Sequence, residues 1–412
     1  MGTELLIAVN VLFMIFFFVI AYLSIRYFIN QIEKYPRITF EEVYNSKKLR
    51  QKYNIENNKA NPYDYGYNFK EIEYKSGKIQ LYGWLIENKD ATKTMIISHG
   101  RGVNRLAALQ YLGMFKDIGL DKEYNFFIPD LRNSGKSDVA RTKMGYCFGQ
   151  DIFHTMEMLN EKFGKNNFTL YGFSQGGMGS AIASKMYVKV LRKKGIVIEK
   201  LILDSSISNI RKRIKEDARK RRVPKFIVSV IVRIFNFRVG SHLDKLKLSY
   251  LLKRIPTLII QSKNDKATTY GMLMEEYNEI AQNKNVQLKV FERGSHTRIY
   301  AEQDYKEEYT EEEVNNLTPK SSVEGINGVF NVTKNIHADS YSFLELGPKT
   351  LKVLKLDNNT NKYIVNGIIN VEVVKTSFAS DYEPQYIVNK PKINIYQKEN
   401  EGQYNCSSDY DP

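Results

Sequence analysis

The stretch Thr169–Gly179, TLYGFSQGGMG, narrows what this chain can fold into more than any other. A short apolar run (Phe168, Leu170, Tyr171) meets Gly172-Phe173-Ser174-Gln175-Gly176, and a helix-compatible segment from Gly177 to Lys194 follows at once. A strand that turns into a helix so abruptly holds its central residue in a strained backbone conformation. The residues two before and two after it must do without a bulky Cβ, and Gly172 and Gly176 supply that. Ser174 Oγ would then stand exposed above a sheet. Five residues of this form are a weak signal by themselves, so the flanking segments and the partner residues carry the rest.

The flanking segments alternate between strand and helix patterns. Glu71–Lys75 and Ile79–Ile86 read as a hairpin around Ser76-Gly77-Lys78, Lys93–Ser98 as a buried strand, and Asn104–Ile118 as a helix. Asn125–Pro129 is another strand, ended by Asp130, and Gln150–Phe163 has helical periodicity. Beyond the serine lie strands at Lys200–Leu203, Pro256–Gln261 and Gln287–Phe291, the last two separated by a helix around Tyr270–Gln282. Alternation at this spacing predicts an α/β domain with a mostly parallel central sheet and helices on both faces.

A serine that attacks an acyl carbonyl needs a base, a group to orient the base, and donors for the developing oxyanion. On a turn of this kind the partners follow in the order Ser, Asp or Glu, His. Downstream of Ser174 the histidines are His242, His296 and His337. His296 lies just past a strand, in Glu292-Arg293-Gly294-Ser295-His296, where a loop can carry it back over the sheet; an ordinary surface histidine is the plainer alternative. His242 falls in a basic insertion and His337 beyond a break in composition. For the acid, Asp265 follows the strand ending at Gln261, and ligands meet open α/β sheets at the C-terminal ends of the strands. The bland alternative for Asp265 is an Asx turn or helix N-cap before Thr268-Thr269, and Asp204, which also ends a strand, is the second candidate acid. The oxyanion donors would be the backbone N–H groups of Gln175 and of Arg101, in His99-Gly100-Arg101-Gly102. Losing one such donor typically costs ~2.7–4 kcal/mol in the transition state. The Arg101 side chain either adds positive potential or points to solvent.

His99-Gly100, Asp130-Leu131-Arg132-Asn133-Ser134-Gly135-Lys136-Ser137, Gly172-Phe173-Ser174-Gln175-Gly176-Gly177, Asp265 and Gly294-Ser295-His296 occur in the order found in α/β-hydrolases. The chain resembles that superfamily over roughly Tyr65–Tyr300, in particular its bacterial membrane-anchored, serine aminopeptidase-like branch. The resemblance implies an α/β-hydrolase fold with Ser174, Asp265 and His296 as catalytic triad. It also implies that the stretch from Asp130 to Ser137 is mainly structural. It implies no substrate, since the superfamily holds esterases, lipases, thioesterases, peptidases, acyltransferases and inactive members.

Leu5–Leu23 is apolar except for Asn10, and a run of that length spans a bilayer core as a helix. A cleaved signal peptide is the alternative; against it, no Lys or Arg precedes the run and no small-x-small cleavage site stands out. Arg26, Lys34, Arg37, Lys47, Lys48, Arg50 and Lys52 all follow the span, so the positive-inside rule puts the body of the protein on the cytoplasmic side. The net charge of +15 lies upstream, because residues 320–412 hold ten Lys, no Arg and eleven Asp or Glu. Part of the excess sits in the insertion between Asp204 and Pro256, the place of a lid: a basic half (Arg211 to Lys225) and an apolar half (Phe226–Phe235). Such a pair suits an anionic membrane surface or, equally, a solvated helix beside one packed over the site. No nucleic-acid-binding module is recognisable. Cys147 and Cys406 form neither a disulfide framework nor a metal-like spacing.

These readings divide the chain into an N-terminal transmembrane anchor (1–30), a connector (31–64), an α/β-hydrolase domain (65–317, lid about 205–255) and a small β-rich C-terminal extension (318–412). A closing helix is expected over Tyr300–Leu317, and a tail ordered only in part over Asn405–Pro412. The expected activity is that of a carboxylesterase or lipase acting on an acyl-containing small molecule or lipid, without metal or organic cofactor. A serine peptidase and a catalytically silent, membrane-tethered binding protein are the rivals. Partner binding is the role expected of the extension.

Overall fold

The computed structural model describes residues 2–33, 35–53, 55, 59–117, 119–240, 242–300 and 308–310, together with the backbone of five strands further on. The chain separates into two compact units, Met1–Lys306 and Glu307–Pro412.

The first unit begins with one long helix, α1 (Gly2–Glu33), whose mean hydropathy over the most apolar window is 2.7. Among the described residues it is the one helix long and apolar enough to cross a membrane. Its two ends differ in kind. Leu5 to Leu23 is exposed to the surroundings, whereas Phe28, Ile29 and Ile32 are buried in the protein's core and Glu33 is buried as well. The helix thus runs three residues past the expected limit of the anchor, and its last turns are structural parts of the body. Two short helices, α2 (Phe40–Asn45) and α3 (Lys47–Tyr53), follow.

The strands of this unit are β1 (Lys70–Ser76), β2 (Ile79–Ile86), β3 (Lys93–Ser98), β4 (Tyr124–Asp130), β5 (Asn167–Phe173), β6 (Val197–Asp204), β7 (Thr257–Ser262) and β8 (Val286–Phe291). They make one sheet of order β1-β2-β4-β3-β5-β6-β7-β8. β1 and β2 form the antiparallel hairpin and β2 meets β4 antiparallel, while every pairing from β4 to β8 is parallel. Every residue of β4 and β7 is buried, as strands covered on both faces require. The helices that follow α3 are α4 (Leu109–Asp117), α5 (Tyr146–Phe163), α6 (Gln175–Met186), α7 (Val188–Lys193), α8 (Ile210–Lys220), α9 (Lys225–Arg238), α10 (Leu248–Leu251) and α11 (Tyr270–Tyr277); α5 packs on β1 and α6 on β3, β5 and β6. The helix expected over Gly177–Lys194 is broken at Tyr187, which divides α6 from α7.

In the insertion, Ile210, Ile214 and Ala218 of α8 recur every four residues on its buried face. Several of its cations are neutralised locally: Arg213 pairs with Asp217, Lys220 with Glu216, Arg211 with Asp244 and Lys212 with Glu276. Helix α9 buries Ile231, Val232 and Phe235 in the same core as the end of α1. Glu33, closing α1, is ion-paired to Arg238 at 2.6 Å and lies 3.6 Å from Arg141.

In the second unit, β9 (Ser342–Leu346), β10 (Lys349–Asp357), β11 (Lys362–Val365), β12 (Asn394–Glu399) and β13 (Gln403–Cys406) form an antiparallel sheet of order β11-β10-β9-β12-β13. Beyond residue 310, the described residues are all in these strands. Of the closing helix expected over Tyr300–Leu317, Tyr300 lies in a turn and 308–310 are helical, while the rest, like the tail from 407 onward, falls outside the described residues.

Candidate active site

Ser174 sits between β5 and α6 with φ 56° and ψ −120°, a conformation that an L-residue adopts only when its surroundings impose it. The imposition is steric. A Cβ on Gly172 would stand 2.7 Å from the Gly176 backbone, and one on Gly176 would stand 2.5 Å from the His99 carbonyl oxygen and closer still to that of Ser98. The turn is also tied sideways, since Ser174 N–H donates to the Asp204 carbonyl at 2.9 Å.

The other two predicted residues converge on that serine from the loops after β7 and β8. His296 Nε2 lies 2.8 Å from Ser174 Oγ, and its Nδ1 lies 2.7 Å from Asp265 Oδ2. Asp265 is fully buried and His296 about a quarter exposed. Burial pushes the Asp265 carboxyl up, but the His296 hydrogen bond and charge and the Thr268 amide outweigh it, so the group titrates below the usual carboxylate range. An ionised carboxylate only accepts, which assigns the proton to Nδ1 and leaves Nε2 to accept from the Ser174 hydroxyl. The same Asp265 makes an Asx turn, its Oδ1 accepting Ala267 N–H at 2.7 Å and Thr268 N–H at 2.9 Å. The two readings of this residue are one arrangement: the turn aims the second oxygen at the histidine.

The loop carrying His296 is held by Ser262 Oγ, which donates to Gly294 O at 2.7 Å, and by Thr297 N–H, which donates to Ser205 Oγ at 3.3 Å. Asp204, the second candidate acid, is buried at the end of β6; its carboxylate accepts from Tyr111 Oη at 3.1 Å and from Ser205 Oγ at 2.8 Å. It supports the turn through its backbone. His242 caps a short turn in the insertion, and His337 lies outside the described residues.

On the other side of the serine, Gly100 approaches so closely that a Cβ there would meet Ser174 Cβ at 2.9 Å. The Arg101 and Gln175 amides flank this contact in sequence, and among the described residues neither donates a hydrogen bond; Gln175 heads α6, where the first N–H groups have no intrahelical partner. The Arg101 guanidinium does not point to solvent: it donates to Gln31 O and stacks over Tyr35, 5.0 Å from the ring centre.

Two residues named in the sequence reading carry supporting roles that it did not assign. Thr268 Oγ1 lies 2.8 Å from Asp265 Oδ2 and 3.0 Å from Ser205 O; a threonine two residues past a candidate turn carries no periodic signal. His99 is buried, its Nδ1–H donating to Gly100 O at 2.7 Å and its Nε2 accepting Leu131 N–H at 3.0 Å. Burial holds it neutral, and it pins the Gly100–Arg101 loop to the end of β4. Among the described residues no group of three or more His, Cys, Asp or Glu side chains could hold a metal ion.

Residues 93–208 match the model of the family described as alpha/beta hydrolase fold. The chain is 30% identical over 122 residues to the Bacillus subtilis uncharacterized protein YqkD, a match that covers 30% of this chain and 34% of that protein, so about a third of the relative's length. Among solved structures it is similar to the Pyrococcus furiosus esterase Pf2001, with 20% identity, 70% of this chain and 97% of that one covered, and a TM-score of 0.49. It is also similar to an alpha-beta hydrolase from Vibrio vulnificus, with 20% identity, 59% and 80% covered, and a TM-score of 0.43. The matched segment runs from β3 through the serine turn to the loop after β6, and the sheet and helices of the first unit have the α/β-hydrolase fold.

Proposed function

We propose that the protein is a membrane-anchored serine hydrolase that cleaves an ester, thioester or amide bond of an acyl-containing substrate. The observation that carries the reading is the hydrogen-bonded line from Asp265 through His296 to Ser174 Oγ, at 2.7 and 2.8 Å. As His296 Nε2 takes the hydroxyl proton, Ser174 Oγ attacks the carbonyl carbon and the imidazolium is stabilised by the Asp265 charge. The carbonyl oxygen, now anionic, is met by the Arg101 and Gln175 N–H groups. His296 then passes its proton to the leaving alcohol, thiol or amine, and water resolves the acyl-serine by the same steps in reverse.

The anchor is α1, with its exposed apolar stretch in the bilayer and its buried end in the body. The cations that follow it favour the cytoplasmic side. Helices α8 and α9, beside the end of α1, would lie against the lipid surface, which favours an acyl ester or lipid over a peptide. The second unit is left to partner binding.

The test is a panel of p-nitrophenyl esters of increasing acyl length beside aminoacyl p-nitroanilides, given to the full-length protein in neutral detergent. Ester turnover abolished by Ser174→Ala is the expected result. Turnover confined to the anilides would make it a peptidase, and none on either, with no covalent capture of the serine, would make it a binding protein.

A further inference from the structure

Above Ser174 and His296 opens a cavity, and one of its walls comes from outside the hydrolase elements: helix α3, between the long N-terminal helix and β1. Lys48 and Lys52 are four residues apart, so they share one face of α3, and both line the cavity. Lys52 Nζ donates to Gly102 O at 3.1 Å, which sets its ammonium against the loop that carries the Arg101 amide. Arg298, two residues after His296, lines the cavity as well, and its Nε is buried without an acceptor. Arg101 Nε is likewise buried without one. The described lining therefore holds four cations, Lys48, Lys52, Arg101 and Arg298, and no carboxylate.

Such a lining is costly for an uncharged substrate. Like charges repel across a cavity whose described lining holds no anion, and guanidinium donors shut away from water lack the acceptors they lost. An anionic ligand group removes both penalties at once. A carboxylate or phosphate also matches the fork of Arg298.

We propose that the substrate of this site is an acyl ester bearing an anionic group, a carboxylate or a phosphate, held by Lys48, Lys52 and Arg298 while the carbonyl lies at Ser174. The inference rests on the serine-hydrolase reading above. Helix α3 then acts as a specificity element, and the segment next to the anchor selects the charge of what is cleaved.

Two matched pairs test this with the full-length protein in neutral detergent. p-Nitrophenyl hemiglutarate against its methyl ester places the charge on the acyl side; lysophosphatidate against the monoacylglycerol of the same chain places it on the alcohol side. Clefts lined by one sign of charge raise rates for the opposite sign by about 10–10³. In at least one pair kcat/KM should favour the anion about tenfold or more at low salt, and the pair that responds tells which side carries the charge. The preference should shrink toward parity at 0.5 M NaCl, on the order of a 5 Å screening length, and in Lys48→Gln/Lys52→Gln. The salt response uses the unaltered protein and so stands if the variant is unstable. A neutral member preferred or equal in both pairs overturns the proposal, as does a variant that loses both members of a pair equally, the mark of a merely structural helix. Turnover without charge preference leaves the hydrolase reading standing; no turnover of any ester and no fluorophosphonate adduct on Ser174 removes both.

Discussion

Replacing Asp265 with Asn separates charge from shape at the site. In the native protein Oδ1 accepts the Ala267 and Thr268 N–H groups at 2.7 and 2.9 Å, and Oδ2 accepts His296 Nδ1–H at 2.7 Å. Thr268 Oγ1 and Gln261 Nε2 also donate to Oδ2, at 2.8 and 3.4 Å, but have other acceptors in Ser205 O, Ser262 O and Thr268 O; an Asn amide has one oxygen for the three N–H donors that are left. Turned toward the backbone, that oxygen keeps two hydrogen bonds and presents the NH2 to His296 and Thr268 Oγ1. Turned toward His296, it keeps one and sets the NH2 against two N–H groups. The first arrangement is favoured by a hydrogen bond kept and an unsatisfied donor avoided, together ~2–3 kcal/mol. Facing an NH2, His296 Nδ1 must accept, so the imidazole proton moves to Nε2, which lies 2.8 Å from Ser174 Oγ. A protonated Nε2 cannot take the serine's proton. The loss in kcat is that of a wrong-tautomer triad, about 10⁴-fold, or ~5 kcal/mol. Because the Asx turn persists, the variant should still fold cooperatively at neutral pH, its melting temperature lowered only by the stability that the ionised carboxylate adds. The assay is p-nitrophenyl ester hydrolysis beside thermal unfolding of the full-length protein. An Asn variant within tenfold of wild-type activity would refute the tautomer argument.

Three further perturbations follow from the packing. Gly176→Ala places a Cβ against the Ser98 and His99 carbonyls, which are backbone and cannot swing away; destabilisation at or above the ~1–3 kcal/mol of an overpacked site is expected, with loss of serine reactivity, and a variant as stable and reactive as wild type would count against the strained turn. Glu33→Gln leaves Arg238 with a neutral acceptor and no counter-charge; since that guanidinium is 25% exposed, the expected loss is about 2 kcal/mol, below the ~3–5 of a fully buried pair, read as a lower denaturation midpoint. The depressed Asp265 titration adds stability that is present above the ordinary carboxylate value and lost as pH falls through the lower native one. Below about pH 4, therefore, wild-type melting temperature should drop more steeply than that of Asp265→Asn; parallel curves would mean that the carboxylate is not held by its partners.

Much of the first unit is legible in the chain because two physical signals are strong there. The period-two and buried-strand runs that become β2 to β8 are bounded by turn residues, and the glycines around Ser174 answer a steric demand that few other folds make. Element ends are less legible: α6 and α7 read as one helix because nothing in the apolar pattern around Tyr187 marks the break. Hydropathy also cannot separate a helix end in lipid from one in a protein core, so Phe28, Ile29 and Ile32 read like the residues before them although they pack on α9. The acid was open between Asp265 and Asp204 since both end strands; only the loop path from β7, with its Asx turn, puts one of them beside His296. The stretch from Phe40 to about Ala60 reads as helical, but the place of α3 beside the cavity was hidden for a different reason. Lysines on a short polar helix look solvated until the chain path places them over a cavity.

Covalent capture of Ser174 tests the central claim most directly. The full-length protein, Ser174→Ala and His296→Ala would each be treated with a fluorophosphonate probe and the adduct located by peptide mass spectrometry. An activated serine predicts one adduct on Ser174 in the wild type, none in Ser174→Ala and a greatly slowed reaction in His296→Ala. A folded wild-type protein that takes up no probe, or takes it up equally without His296, would contradict it.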